Sequence, residues 1–520
     1  MAGIEKFKTV IKEGYTFTKG SIVLGTAIFD GQPIKDALVK IPLKTLNRHG
    51  LIAGATGSGK TKTLQVIAEQ FSANGIPCLM MDLKGDLSGL AKAGASNEAI
   101  AKRHDSIGIP YQPLAMPVEL MTISNEKGLK LRATVIEFGP VLFSKILDLN
   151  DTQQGVVALL FKYCDDNKLP LLDLEDFKKT LQYIMNEGKE EITKIYGSVS
   201  PATVNIILRK IIELEQQGAA NFFGEKSFDV NDLLQKDSNG KGVLSIIRLT
   251  DIQDKPKMFS TFMLSLLAEV YSSFPEEGDM DKPKLAIFID EAHLIFSQAS
   301  KALLDQLEAI IKLIRSKGVG IFFCTQNPMD IPDAVLAQLG LKVQHALRAF
   351  TAKDRTQIKK TAENYPESEF YKTDEIITSL GIGEAMISAL SEKGTPTPLV
   401  AVLLQAPASR MNILNAQEID ELVSKSSLAR IYNEEINRES AFEILTKKIE
   451  EASSEEHKIE IEAQNEKAKK VVDKKEKEEP GMFEQISKNT MVRQVGRSVA
   501  TSLARGLLGM LGISGSKRRG

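Results

Sequence analysis

The sequence predicts an α/β fold built on a mainly parallel sheet, and three features carry that expectation. A strand-like run, Leu51-Ile52-Ala53, leads through a glycine-rich turn into a helical stretch at 62–72. Apolar runs of strand length recur at 76–81, 242–248, 284–289 and 320–325. Between them lie amphipathic helical stretches, giving the βαβ rhythm of parallel strands with crossover helices.

Residues 1–45 are punctuated by glycine and hold two short apolar runs, 21–25 and 37–42, which read as small strands. A small β-rich N-terminal segment with a barrel-like cap is therefore expected. The core is expected at 46–104 and 236–405, closed by a hairpin of 385–390 and 399–404 around Lys393-Gly394. Helical periodicity at 151–163, 172–186 and 201–217 marks an inserted helical subdomain over 105–235, with Ser200 as N-cap and Pro201 in the first turn of the last helix. A helical C-terminal extension follows at 406–453. Glu and Lys then dominate 454–480, a charged linker, and Pro480-Gly481 separates it from a tail at 481–520. In that tail Val492, Val495, Val499, Leu503, Leu507 and Leu511 form a helical apolar stripe beside Arg493, Arg497 and Arg505. Such a basic amphipathic helix suits a phosphate backbone, an anionic membrane surface, a partner groove or the protein's own body.

Charge narrows the function. The 66 Lys and Arg nearly balance the 68 Asp and Glu, so any nucleic-acid contact must come from a local patch. Cys78, Cys164 and Cys324 lie far apart in the chain, which fits reduced core thiols and a cytoplasmic protein. No run approaches the roughly 18 apolar residues of a transmembrane helix, and the N-terminus lacks a signal-peptide pattern.

The chemistry concentrates in a few places. Gly54-Ala55-Thr56-Gly57-Ser58-Gly59-Lys60-Thr61 fits a phosphate-binding loop, flanked by the required strand and helix. Its glycines let backbone N–H groups close around phosphates and the helix N-terminus adds a favourable dipole. Lys60 reaches the β- and γ-phosphates, and Thr61 offers a hydroxyl to Mg²⁺. The run at 284–289 delivers Asp290 and Glu291 at its C-terminal end, where ligands sit in open α/β sheets. Asp290 would hold Mg²⁺ through water, and Glu291, on the opposite face, would polarise the attacking water. The run at 320–325 ends in Gln326, placed to orient that water or sense the γ-phosphate. Asp82, followed by Lys84-Gly85-Asp86, is as suited to organising a turn as to chemistry. His293 is a packing or hydrogen-bonding residue rather than a catalyst. Arg315 closes the helix between the two strands and could reach a neighbour's γ-phosphate in a ring; Arg348 and Arg355 are rivals for that role.

With these residues placed, the chain resembles the HerA/FtsK group of RecA-like P-loop ATPases, most closely bacterial HerA-like ATPases of the YjgR type. The resemblance spans roughly 20–450. It rests on the stretch 47–52 leading into the phosphate loop, on Asp82-Leu83-Lys84-Gly85-Asp86-Leu87-Ser88-Gly89, Phe222-Phe223-Gly224-Glu225 and Asp290-Glu291-Ala292-His293, and on Thr325-Gln326-Asn327-Pro328 followed by 344–350. It implies a RecA-like core, a homo-oligomeric ring that is a hexamer, ATP and Mg²⁺ between subunits, and DNA in the channel. Archaeal relatives carry a substantial N-terminal β-barrel that docks a nuclease. Only about 45 residues precede the core here, so a nuclease partner is not expected. The expected function is an ATP-hydrolysing DNA translocase or helicase. A ring ATPase that remodels or secretes protein, and a nucleotide-gated scaffold, would need the same ATP site.

Overall fold

Buried apolar runs alternating with turns build one twelve-stranded sheet in the computed structural model, which describes residues 2–475 apart from 279, 299, 300, 435 and 437. The strands are β1 (Ser21–Phe29), β2 (Gln32–Pro42), β3 (Gly50–Ala53), β4 (Cys78–Asp82), β5 (Val118–Thr122), β6 (Leu129–Lys130), β7 (Leu244–Arg248), β8 (Leu285–Ile289), β9 (Val319–Thr325), β10 (Leu341–Gln344), β11 (Glu384–Ser388) and β12 (Val400–Leu404). Their order is β2-β1-β12-β11-β10-β3-β9-β8-β4-β7-β5-β6. From β10 to β6 every pairing is parallel, while β11, β12, β1 and β2 add antiparallel partners.

The central strands β3, β4, β8 and β9 are buried along their whole length, which is why they read as unbroken apolar runs rather than as alternation. Helix α1 (Ala2–Gly14) lies at one end of the sheet, and α2 (Lys60–Ala73) follows the glycine-rich turn. From α2, Phe71 packs on Phe322 of β9 at 5.3 Å between ring centroids, and Phe322 stacks on Phe288 of β8 at 4.9 Å. Fully burying each such ring contributes roughly 1.5–3 kcal/mol, so this cluster fixes α2 against the strands it must serve.

Two local expectations change. No barrel-like cap forms at the N-terminus: β1 and β2 pair with each other, and β1 joins the main sheet through β12, with Gly25 opposite Leu404. Ahead of them α1 was not anticipated; it buries Phe7 and Ile11, with Phe7 against Phe29 and Phe370. Within 105–235, the short strands β5 and β6 extend the parallel sheet, so that stretch is not purely helical. Its helices include α3 (Asp151–Asp166), α4 (Leu174–Met185) and α5 (Pro201–Gln216). Asn150 and Asp173 cap α3 and α4 through side-chain oxygens, whereas Ser200 takes the N-cap position of α5 without a side-chain hydrogen bond. Helix α6 (Lys301–Ile314) precedes β9, and α7 (Ala441–Lys475) carries the Glu/Lys-dense sequence.

Met1–Thr446 form one unit and Lys447–Gly520 the other. The basic amphipathic tail expected at 481–520, with its stripe from Val492 to Leu511, lies outside the described residues. All three cysteines are buried and unpaired.

Candidate active site

Four adjacent parallel strands end at the same edge of the sheet, and each end delivers polar residues. The register makes this explicit: Ala53 of β3 lies beside Thr325 of β9, Phe323 of β9 beside Ile289 of β8, and Ile289 beside Met81 of β4. The phosphate loop, Gln326, the Asp290-Glu291 pair and Asp82-Lys84 are therefore neighbours in space although they are spread over residues 54–326 of the chain.

The loop has the backbone that a phosphate cradle needs. Gly54, Gly57 and Gly59 all have positive φ. At Gly54 an added Cβ would come within 2.5 Å of the His345 Cβ, and at Gly59 within 3.2 Å of the Gly383 amide, so neither position tolerates a side chain. Ala55 N donates to Ala346 O at 2.8 Å, and Gly383 N donates to Ser58 O at 3.0 Å, tying the loop to its surroundings. Lys60 opens α2, buried, with its ammonium donating to Ala55 O at 3.1 Å. Burial pushes its proton affinity below that of an ordinary lysine; Cys324 offsets this and the nearby Lys84 charge adds to it. Thr61, half-buried, follows on the same first turn.

Beyond β8, Asp290 is buried, and one carboxylate oxygen accepts from the Glu291 amide at 2.9 Å. Its other oxygen, Oδ2, is buried with no hydrogen-bond partner among the described residues. Burial raises the Asp290 pKa, with Lys84 opposing and Glu291 adding to the shift. A buried carboxylate oxygen left open where the phosphate loop meets β8 fits a hydrated divalent cation such as Mg²⁺, the hard, oxygen-liganded ion of phosphate sites.

Glu291 departs from its expected placement. Strand β8 ends at Ile289, and Glu291 adopts φ 46, a left-handed conformation uncommon for a long side chain. Strand alternation therefore does not set its direction. Its carboxylate is 8% exposed and pairs with the ammonium of Lys84, while His293 Nδ1 lies 3.2 Å away on the other oxygen.

Gln326 is close to the loop, its Oε1 3.5 Å from the Thr56 hydroxyl. Both line a cleft of about 450 Å³ together with Arg348 and the almost fully exposed Phe350. Asp82 turns out to organise structure: its carboxylate accepts the amides of Gly85 at 2.8 Å, Asp86 at 3.0 Å and Leu87 at 3.1 Å, shaping the turn that presents Lys84. Burial raises its pKa to about 7.

Arg315 sits elsewhere. It begins the short turn before Val319, at the N-terminal end of β9, whereas Gln326 and the phosphate loop lie past the C-terminal ends. At about 3.3 Å per residue, seven strand residues separate the two edges by roughly 20 Å. Arg315 is exposed and shares a cleft of about 250 Å³ with Arg48, His49 and Lys312. Among the described residues no carboxylate lines that cleft. Arg348 is engaged within its own chain, donating to Thr378 O at 2.7 Å, and Arg355 is exposed on the helix Ala352–Glu363. Local pattern assigns no role to Lys84 or His345; strand order, which local patterning does not encode, brings Lys84 to Glu291 and His345 to Thr63.

Comparison with known proteins agrees with this arrangement. The family described as "Helicase HerA-like C-terminal" matches residues 29–519. The "DNA double-strand break repair helicase HerA" of Sulfolobus acidocaldarius is 22% identical over 410 residues, covering 74% of this chain and 69% of the relative. A "Probable helicase MJECL08" of Methanocaldococcus jannaschii is 24% identical over 423 residues, covering 74% and 71%. The solved structure of plasmid coupling protein TrwB "in complex with ADP and Mg2+" shares the fold, with a TM-score of 0.50 at 14% identity over 78% of this chain and 94% of that one. A family match across nearly the whole chain, joined to a phosphate loop and paired carboxylates on neighbouring strand ends, shows that this chain belongs to the HerA-like helicase family of RecA-like P-loop ATPases.

Proposed function

We propose that the protein is an ATP-hydrolysing motor that assembles as a homohexameric ring and drives DNA through it, as a translocase or helicase. The observation that carries the ATPase reading is the convergence of Lys60, Thr61, Asp290, Glu291 and Gln326 at one sheet edge. Mg²⁺, if held by Thr61 and Asp290, would supply positive charge to offset that of the phosphates. Lys60 and the loop amides hold the phosphates, and Thr61 and Asp290 supply the oxygens facing the ion. Glu291 accepts a proton from the attacking water, which Gln326 orients.

The ring reading rests on Arg315, which is too far from its own phosphate loop to serve it. In a ring its cation-lined cleft faces a nucleotide held by the adjacent copy, where an arginine stabilises charge in the transition state. DNA as the substrate is supported by the relatives named as helicases. A small net charge of −2 is compatible with this, because a few cations per subunit, repeated around a ring, suffice for binding. The test is ATP hydrolysis with Mg²⁺, measured with and without duplex DNA. A severalfold rise on adding DNA is expected. An ATPase indifferent to duplex, branched and single-stranded DNA would leave the protein-handling and scaffold readings in its place.

A further inference from the structure

Lys84 has no part in the phosphate loop or the carboxylate pair, yet its side chain ends on Glu291. The backbone beneath it is held fast. Asp82 accepts three amides of the turn, and Gln253 donates to Leu83 O. The side chain, by contrast, is 39% exposed on a flexible four-carbon stem, whereas the Glu291 carboxylate it meets is 8% exposed. One partner thus sits half in solvent on a long stem and the other is buried, on a backbone already in the left-handed region at φ 46.

A second ammonium lies nearby. Lys60 is close enough to feel the charge of Lys84, and both lysines feel Asp290 and Glu291. The Lys84 ammonium is nevertheless held above the ordinary lysine value: burial lowers it, and Glu291 and Asp290 more than offset that. Two lysines converging beside two carboxylates make a place where a polyanion can redistribute the pairing, since it offers Lys84 more negative charge than one carboxylate does.

We propose that Lys84 changes partner during turnover, holding Glu291 before nucleotide arrives and shifting to the γ-phosphate when ATP is bound. The inference rests on the ATP-hydrolysing reading of this site. The exchange makes the general base available only when there is a γ-phosphate to attack. Glu291, released, takes a proton from water as the water oxygen bonds to the γ-phosphorus and the bond to the bridging oxygen breaks, leaving ADP and phosphate. Lys84 then returns to Glu291 as phosphate leaves. ADP alone, lacking the γ-phosphate, does not move it.

This last point supplies a readout independent of turnover. Dissociation constants for ADP and for the non-hydrolysable analogue AMP-PNP, both with Mg²⁺, are compared in the full chain, Lys84→Gln and Lys84→Arg. Lys84→Gln should leave ADP binding within about twofold and weaken AMP-PNP roughly tenfold or more, the scale of one charge-assisted contact. Lys84→Arg should restore most of the AMP-PNP affinity. Equal loss of both nucleotides in a folded Lys84→Gln chain, or no loss of either, overturns the exchange. If the unaltered chain binds neither nucleotide, the ATP-site reading itself fails and the exchange with it.

Discussion

His345, just past β10, places its Nε2 2.9 Å from the Thr63 hydroxyl on the first turn of α2, and its Cβ and backbone carbonyl back onto Gly54. It wedges the phosphate loop against the sheet while fully buried. Burial pulls its pKa from 6.5 to about 4, with the Lys60 charge adding to the shift. The folded chain therefore resists protonation that the unfolded chain accepts. The associated stability is fully present above pH 6.5 and is lost as pH falls towards 4, up to about 3 kcal/mol in full. Thermal unfolding midpoints between pH 7 and 4 should fall more steeply for the unaltered chain than for His345→Gln. His49, also lowered to about 4, continues to contribute in the variant. Parallel curves for the two proteins would remove His345 from the account.

Lys60→Ala and Glu291→Gln should separate binding from hydrolysis. Lys60 contributes charge to the bound phosphates, so its loss should weaken ATP binding by roughly tenfold or more. Glu291 acts on the water, so Glu291→Gln should bind ATP nearly normally while turnover drops roughly 10²–10⁴-fold. Binding by calorimetry and phosphate release together decide the matter. Near-normal turnover in Glu291→Gln would leave another residue as the base.

How much of this was legible in the sequence follows from what is local and what is not. The phosphate loop, the strand ending at Asp290 and the strand ending at Gln326 are each contiguous signals, because a fully buried parallel strand must be apolar throughout and must change character where it reaches the ligand edge. The hairpin around Lys393-Gly394 is local in the same way. The partnership of Lys84 with Glu291 depends on β4 lying beside β8, although β7 intervenes in the chain between them. The union of β1 with β12 joins residues almost 380 positions apart, and no periodicity within 1–45 could announce it. Helix α1 carries Ile4, Phe7 and Ile11 at helical spacing, but Gly3 and Gly14 bracket that short pattern and read as turns. The turn of Glu291 into positive φ is a further departure, since strand alternation was carried two residues past the point where the strand stops.

Removing 481–520 should leave basal ATP hydrolysis within about twofold of the full chain, because every catalytic and phosphate-binding candidate precedes residue 360. The basic amphipathic pattern read in the sequence of that segment suits an anionic partner, so any loss should show in DNA-stimulated rates and in their salt dependence. A collapse of basal activity on truncation would mean that the segment packs on the ATPase body.

The sharpest test of a shared active site is complementation between Arg315 and Lys60. Arg315 lies at the sheet edge opposite its own phosphate loop, in a cleft with Arg48 and Lys312 that no carboxylate lines among the described residues. An arginine acting across a subunit boundary contributes roughly 10³ or more to the rate, so Arg315→Ala rings should be nearly inactive while still binding ATP. Lys60→Ala rings should be nearly inactive because they bind ATP weakly and lack the lysine charge at its phosphates. Mixed rings, however, contain junctions at which an intact Lys60 in one copy meets an intact Arg315 in the next, and those junctions should recover measurable hydrolysis. Recovery should vanish when both substitutions are placed in every subunit. Normal hydrolysis by Arg315→Ala alone, or no recovery from rings shown by mass to be mixed, would transfer the role to Arg348 or Arg355 or abolish the shared site. Arg348 is the weaker rival, since Thr378 O already holds its guanidinium and reaching a neighbour would first break that bond.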